Sequence, residues 1–247
     1  MLLTTYYSAF LFYGVTFLFR ILGSKKGELP FSTGALLLNG IALVLICLRS
    51  GYLPLFNIFE SFLLTTFILG CLGFYSLLRR DPLKNARTWI WLEILILFGI
   101  TLFFQKQPSA RQYDHGYLYI VLFYLFRVVS FALVLNSTAL FIEFRNRRKT
   151  EGNANANGIY HMGRNFLLLS ALFFLMGEYV GIVWSQEGWG DFWHWNATFF
   201  QSTAIVIYFM IAFHIPGKGR RAEDIRAFVG GMGSFVILTL TILRSFY

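Results

Sequence analysis

A chain of 247 residues that is 57% hydrophobic and only 13% charged, with 29 phenylalanines, cannot cover a water-soluble surface, because soluble domains carry about a quarter of their residues as Asp, Glu, Lys and Arg. The formal net charge of +9 raises nucleic acid as a partner, and the distribution of that charge, taken below, argues against it. The two cysteines, Cys47 and Cys71, lie in apolar runs where they pack as small hydrophobes, and no disulfide framework is readable.

A helix that crosses a bilayer needs about 20 mostly apolar residues. Eight such runs follow one another, at roughly 4–22, 33–49, 55–78, 88–105, 117–144, 166–185, 197–215 and 228–246. The expected fold is all-α, a polytopic integral membrane helix bundle forming a single membrane domain over 1–247. The first run lacks a basic start and an A-x-A-like site and carries Tyr6, Tyr7 and Tyr13, so it reads as a span rather than a cleaved signal peptide. The stretch Gly152-Asn-Ala-Asn-Ala-Asn-Gly158 reads as a flexible loop.

Charge sets the expected orientation. The first, third, fifth and seventh loops hold fifteen of the 21 basic residues, among them Lys25, Arg79, Arg148 and Arg221. The second and fourth hold Arg49, Lys106 and Arg111, and the sixth holds none. Positive charge gathers in cytoplasmic loops, so the odd loops are expected in the cytoplasm and both termini outside, in a multi-pass protein of the cytoplasmic membrane. The excess charge is then a topology signal, and no nucleic-acid partner is expected.

That topology sorts the histidines. His115 falls at the outer start of the fifth span, His194 in the sixth, outer loop, His161 in a cytoplasmic loop tail, and His214 at the inner end of the seventh span. His214 can serve as a ligand, accept a proton or simply cap its helix, where a cation is favoured. Four ionisable residues fall inside apolar spans: Glu60, Glu93, Arg127 and Glu178. Counted from the outer surface, Arg127 lies about 15 Å deep, near mid-bilayer. It should face the bundle and be paired, with Glu60 or Glu178 as its partner. The pair either fixes helix packing or leaves Arg127 to neutralise the carboxylate of a ligand.

The sixth loop, taken as 184–198, places four tryptophans in twelve residues: Trp184, Trp189, Trp193 and Trp195, with Gly190 permitting a tight turn. Aromatic belts form at membrane interfaces, but a belt does not require the spacing W-G-x-x-W-x-W. The stretch resembles the tryptophan-rich "WWD" signature of the haem-handling proteins of cytochrome c biogenesis. Three further blocks carry a resemblance to the CcsA/ResC family. Arg49-Ser-Gly51-Tyr-Leu-Pro54-Leu-Phe-Asn57-Ile-Phe-Glu60-Ser61 is similar to its R-x-G-x-x-P-x-x-N-x-x-E-S pattern. Asp114-His115-Gly116-Tyr117 stands where the family has an outer haem-ligating His, and His214 before a basic loop resembles its intramembrane His.

The resemblance implies a haem-handling subunit of a membrane cytochrome c synthase. Haem b would be bound and presented at the outer face for attachment to a C-x-x-C-H apocytochrome c, with a CcsB/ResB-like membrane partner completing a haem lyase. It implies His115 as an iron ligand and Trp184, Trp189, Gly190, Trp193, Trp195 and Asn196 around the macrocycle. Two positions depart from the family. Asn196 replaces the Asp that ends the signature, and Arg244 stands where the second outer His is expected. Arg cannot be an ordinary iron ligand. Either His115 holds the iron alone, or His194 supplies the second ligand, or Arg244 binds a haem propionate. A CcmC-like haem exporter that loads a haem chaperone, and a structural subunit that has lost haem, are the alternatives.

Overall fold

The computed structural model describes residues 1–78, 85–107, 117–150, 156–190, 197–217 and 219–244. Nine helices and no strand occur among them. They fall into two compact units, 1–114 and 115–247.

Unit 1 holds α1 (Leu2–Ile21), α2 (Lys25–Ser50), α3 (Ile58–Leu78) and α4 (Ala86–Thr101). Each helix packs on the next, and α4 returns to α1, which closes a ring of four. The buried face of α1 is Leu2, Tyr6, Ala9, Tyr13, Thr16 and Arg20, spaced alternately by four and three residues as one helix face requires. In a bilayer, lipid tails are as apolar as Leu, so close packing and polar contacts must hold such helices together. Trp91 is fully buried and lies with its ring centroid 6.0 Å from that of Tyr13. Tyr6 donates to the Phe98 carbonyl at 3.1 Å and meets Thr101 Oγ1 at 2.6 Å.

The start of α3 explains one sequence block without any ligand. Asn57 Oδ1 accepts from the Glu60 amide at 2.7 Å, and Glu60 Oε2 accepts from the amides of Phe56 and Asn57 at 3.0 and 3.4 Å. This is a reciprocal capping box. Ser61 Oγ completes it by donating to the Leu55 carbonyl at 2.8 Å. The N-x-x-E-S spacing is therefore what starting this helix demands.

Unit 2 holds α5 (Tyr117–Thr150), α6 (Asn157–Trp189), α7 (Ala197–His214), α8 (Arg220–Gly231) and α9 (Gly233–Arg244). Helices α5 and α6 form a long antiparallel hairpin. Its rungs run from Tyr119 with Glu187, through Arg127 with Glu178 and Ser130 with Ser170, to Ser137 with the Gly163 carbonyl. Helices α8 and α9 pack on α5 and α7.

Seven stretches among the described residues are long and apolar enough to cross a membrane, with Arg220–Arg244 counted as one. The chain is thus an all-helical, multi-pass membrane protein. Helix α4 has 16 residues, about 24 Å, short of a hydrocarbon core of about 30 Å. All eight expected runs contain a helix, and three of them differ most in extent. Helix α2 begins at Lys25 rather than 33, with Pro30 near its start, where a missing N–H costs little. Helix α6 begins at Asn157 rather than 166, because its first turns are helical without being apolar. The last run is split at Met232, between Gly231 and Gly233. Glycine is the weakest ordinary helix former, and here it also admits close neighbours. A Cβ on Gly233 would sit 2.6 Å from Tyr208 Oη and 2.7 Å from Val134 Cγ1. The carbonyls freed at the break are not left bare, because Tyr208 Oη donates to Val229 O at 3.3 Å and Thr138 Oγ1 to Gly230 O at 3.4 Å.

Candidate functional site

Among the residues singled out by sequence, Arg127 and Arg244 are brought together by α7. Arg127, on α5, donates from Nη1 to Ser202 Oγ at 3.1 Å and from Nη2 to Gln201 Oε1 at 3.2 Å. Arg244, the last residue of α9, donates from Nη1 to the same Gln201 oxygen at 3.3 Å. Gln201 is fixed in turn, since its Nε2 donates to Thr241 Oγ1 at 3.1 Å. One side-chain amide oxygen therefore anchors two guanidinium groups from different helices. Glu178 on α6 meets Arg127 Nη1 at 3.2 Å, and its side chain keeps 23% of its surface exposed against 10% for Arg127.

Apolar rings wall the cluster. The Arg127 guanidinium carbon lies 4.9 Å from the Phe123 ring centroid and 5.3 Å from that of Phe174, and Arg244 lies 5.9 Å from that of Tyr124. Such faces attract a cation and exclude water, which strengthens each charge. A cluster of two guanidinium groups, one carboxylate and neutral hydrogen-bonding side chains can hold a carboxylate or phosphate ligand, because the guanidinium fork matches two oxygens.

Gln201 is the fifth residue of α7 and Arg244 ends α9, so Arg127 lies beside one end of the seventh span. Helix α5 has 34 residues, about 51 Å. The acidic partner of Arg127 is Glu178, one of the two expected; Glu60 is engaged in capping α3.

The tryptophan-rich stretch begins later than expected as a loop. Trp184 lies inside α6, which runs through Trp189, and Gly190 ends it in the left-handed region with φ 71°, its amide donating to the Gln186 carbonyl at 2.9 Å. The glycine is where a tight turn was expected, since a side chain at that φ is strained. Trp193, His194, Trp195 and Asn196 lie outside the described residues, as does His115. His214 ends α7, as expected, and is exposed; its Nδ1–H donates to Met210 O at 2.9 Å, four residues back on its own helix. His161 lies within the first turns of α6, exposed. Among the described residues no group of three or more His, Cys, Asp or Glu is placed to hold a metal ion.

Sequence reasoning missed a second cluster, in unit 1. Glu28 and Arg87 fall outside the apolar runs and read as loop residues, yet both are helical and buried, with Glu28 1% and Arg87 4% exposed. Glu28 Oε1 accepts from Trp91 Nε1 at 3.2 Å and lies 3.9 Å from Arg87 Nε, while its Oε2 lies 4.0 Å from Arg20 Nη1. The available signal was the count of cations: Arg20, Arg127 and Arg244 are the three basic residues that no loop claims, and all three enter these two clusters.

No protein-family model matches the chain, and no curated protein matches it in sequence.

Proposed function

We propose that the chain is a haem-handling subunit of a membrane cytochrome c synthase. It would bind haem b as substrate near the Trp-rich stretch and present it, at the outer face of the cytoplasmic membrane, to a C-x-x-C-H apocytochrome c. The observation that carries this reading is the convergence of Arg127 and Arg244 on Gln201, three residues after the stretch ends at 198. Two guanidinium groups beside aromatic rings suit an amphipathic, flat molecule with two carboxylates. On this reading Arg127 and Arg244 hold the propionates, Trp189, Trp193 and Trp195 flank the macrocycle, and His115 ligates the iron, with His194 the candidate for a second ligand. The arginine that departs from the family pattern at 244 then keeps a haem contact while giving up an iron ligand.

The chain's own residues bind, orient and exclude water; the reacting groups belong to the haem and to the substrate thiols. A CcsB/ResB-like partner completes the synthase. The loop charges support a topology with both termini and the Trp-rich stretch outside. Reporter fusions after Asn153 are expected to read cytoplasmic and after Gly188 extracytoplasmic; the reverse pattern removes the proposed site from the outer face. In purified protein His115→Ala is expected to lose most bound haem and His161→Ala to keep it. Equal haem in the two variants overturns the ligation, and a parent that binds no haem when supplied with it overturns the function.

A further inference from the structure

We propose that the Arg20–Glu28–Arg87 cluster of unit 1 is a binding site for a phosphate-type oxyanion, with Arg87 the residue that contacts it. Three helix ends meet here: the last turn of α1, the first of α2 and the first of α4. The Arg87 side chain is 5% exposed, and its Nε and Nη1 have no hydrogen-bond partner. The Glu28 oxygen nearest it is 3.9 Å away, an ion-pair distance but too long for a direct hydrogen bond. A guanidinium carries its donors in a rigid fork, and burying them without acceptors is costly. Arg20, by contrast, is engaged, donating from Nε to Thr88 Oγ1 at 3.0 Å and from Nη2 to Asn85 Oδ1 at 3.2 Å.

That last bond has a second effect. Asn85 is the N-cap of α4, and its side chain makes no capping hydrogen bond. Its oxygen is turned to Arg20 instead. The first amides of α4 are left without the side-chain acceptor that an N-cap Asn supplies, at the positive end of the helix dipole. The Arg87 fork lies in the first turn of α4, at a helix start whose N-cap side chain is turned away, and both the fork and the helix dipole favour an anion there. Glu28 cannot serve both, because Trp91 Nε1 holds its Oε1. A phosphate has oxygens enough to accept from the Arg87 fork and to face the helix start at once.

The same chemistry is offered by the headgroup of an anionic lipid and by free phosphate. Basic pockets between membrane helices take such headgroups. The test uses the full chain in detergent, with inorganic phosphate in one arm and phosphatidylglycerol against phosphatidylcholine in the other. Native mass spectrometry reads lipid adducts, and thermal unfolding reads stabilisation by phosphate. Arg87→Lys keeps the charge and removes the fork, which guards against misfolding of Arg87→Gln. The parent is expected to hold phosphatidylglycerol or to be stabilised by phosphate, with the affinity falling about tenfold or more in both variants. A lipid adduct identifies the headgroup, and stabilisation by phosphate alone identifies the free anion. Equal behaviour of parent and Arg87→Lys in both arms, or no response of the parent in either, overturns the proposal.

Discussion

The two arginine clusters differ in how their hydrogen bonds are spent, although each contains two arginines and one glutamate. In unit 2 the Arg127 and Arg244 donors go to Gln201 and Ser202, with Glu178 at ion-pair distance and aromatic rings around them. In unit 1 the glutamate is central and almost fully buried, its oxygens are 3.9–4.0 Å from the two guanidinium groups, and Arg87 keeps donors with no acceptor. An intramembrane charge must be paired, but pairing alone does not say what a cluster does. Glu178, with 23% of its side chain exposed, can yield its place to an incoming carboxylate, whereas Glu28, at 1%, cannot move without uncovering two cations.

The largest expected effect separates them on stability. Glu28→Gln removes the carboxylate between Arg20 and Arg87 and is expected to cost about 3–5 kcal/mol, as for one partner removed from a buried pair. Glu178→Gln, at the more exposed site, is expected to cost under half of that. Thermal unfolding of both variants in one detergent checks the order, and equal losses would erase the distinction between the two clusters.

Next in size is the helix break of unit 2. Gly233→Ala places a methyl against Tyr208 and Val134 and is expected to destabilise by about 1–3 kcal/mol, the usual range for overpacking. Gly188→Ala, whose added carbon would meet nothing within 4 Å, is the neutral control. A Gly233 variant as stable as that control would mean that α8 and α9 are not pressed on α5 and α7 as described.

The smallest effect sharpens the reading of the Arg49–Ser61 block. Asn57→Ala removes the cap of α3 and is expected to cost about 1 kcal/mol, with no change in any ligand bound by unit 2. A loss of bound haem without a loss of stability would return that block to a role beyond capping.

These differences show what was legible in sequence. The apolar runs located a helix in each of the eight places, because crossing a bilayer demands about 20 apolar residues in a row. Their ends were less legible where helices carry on into polar sequence, as at Lys25 and Asn157, since hydropathy falls while the backbone continues. That is why Glu28 falls outside the expected spans. The pairing of Arg127 with Glu178 was within reach, because both lie inside spans and no buried charge stands alone. The meeting of Arg127 with Arg244 on Gln201 was not, since a neutral amide carries no signal of its own and helix order in space is not written in hydropathy. The N-x-x-E spacing at Asn57 was read through a family pattern when its mechanics are those of a helix start.

The most direct measurement is haem content per protein, by pyridine haemochrome assay, for the parent and the Arg127→Gln and Arg244→Gln double variant purified side by side. If the pair on Gln201 holds the propionates, the parent carries haem and the double variant keeps less than about a tenth of it, a difference of at least about 1.4 kcal/mol in binding. Equal haem in parent and double variant would contradict the account.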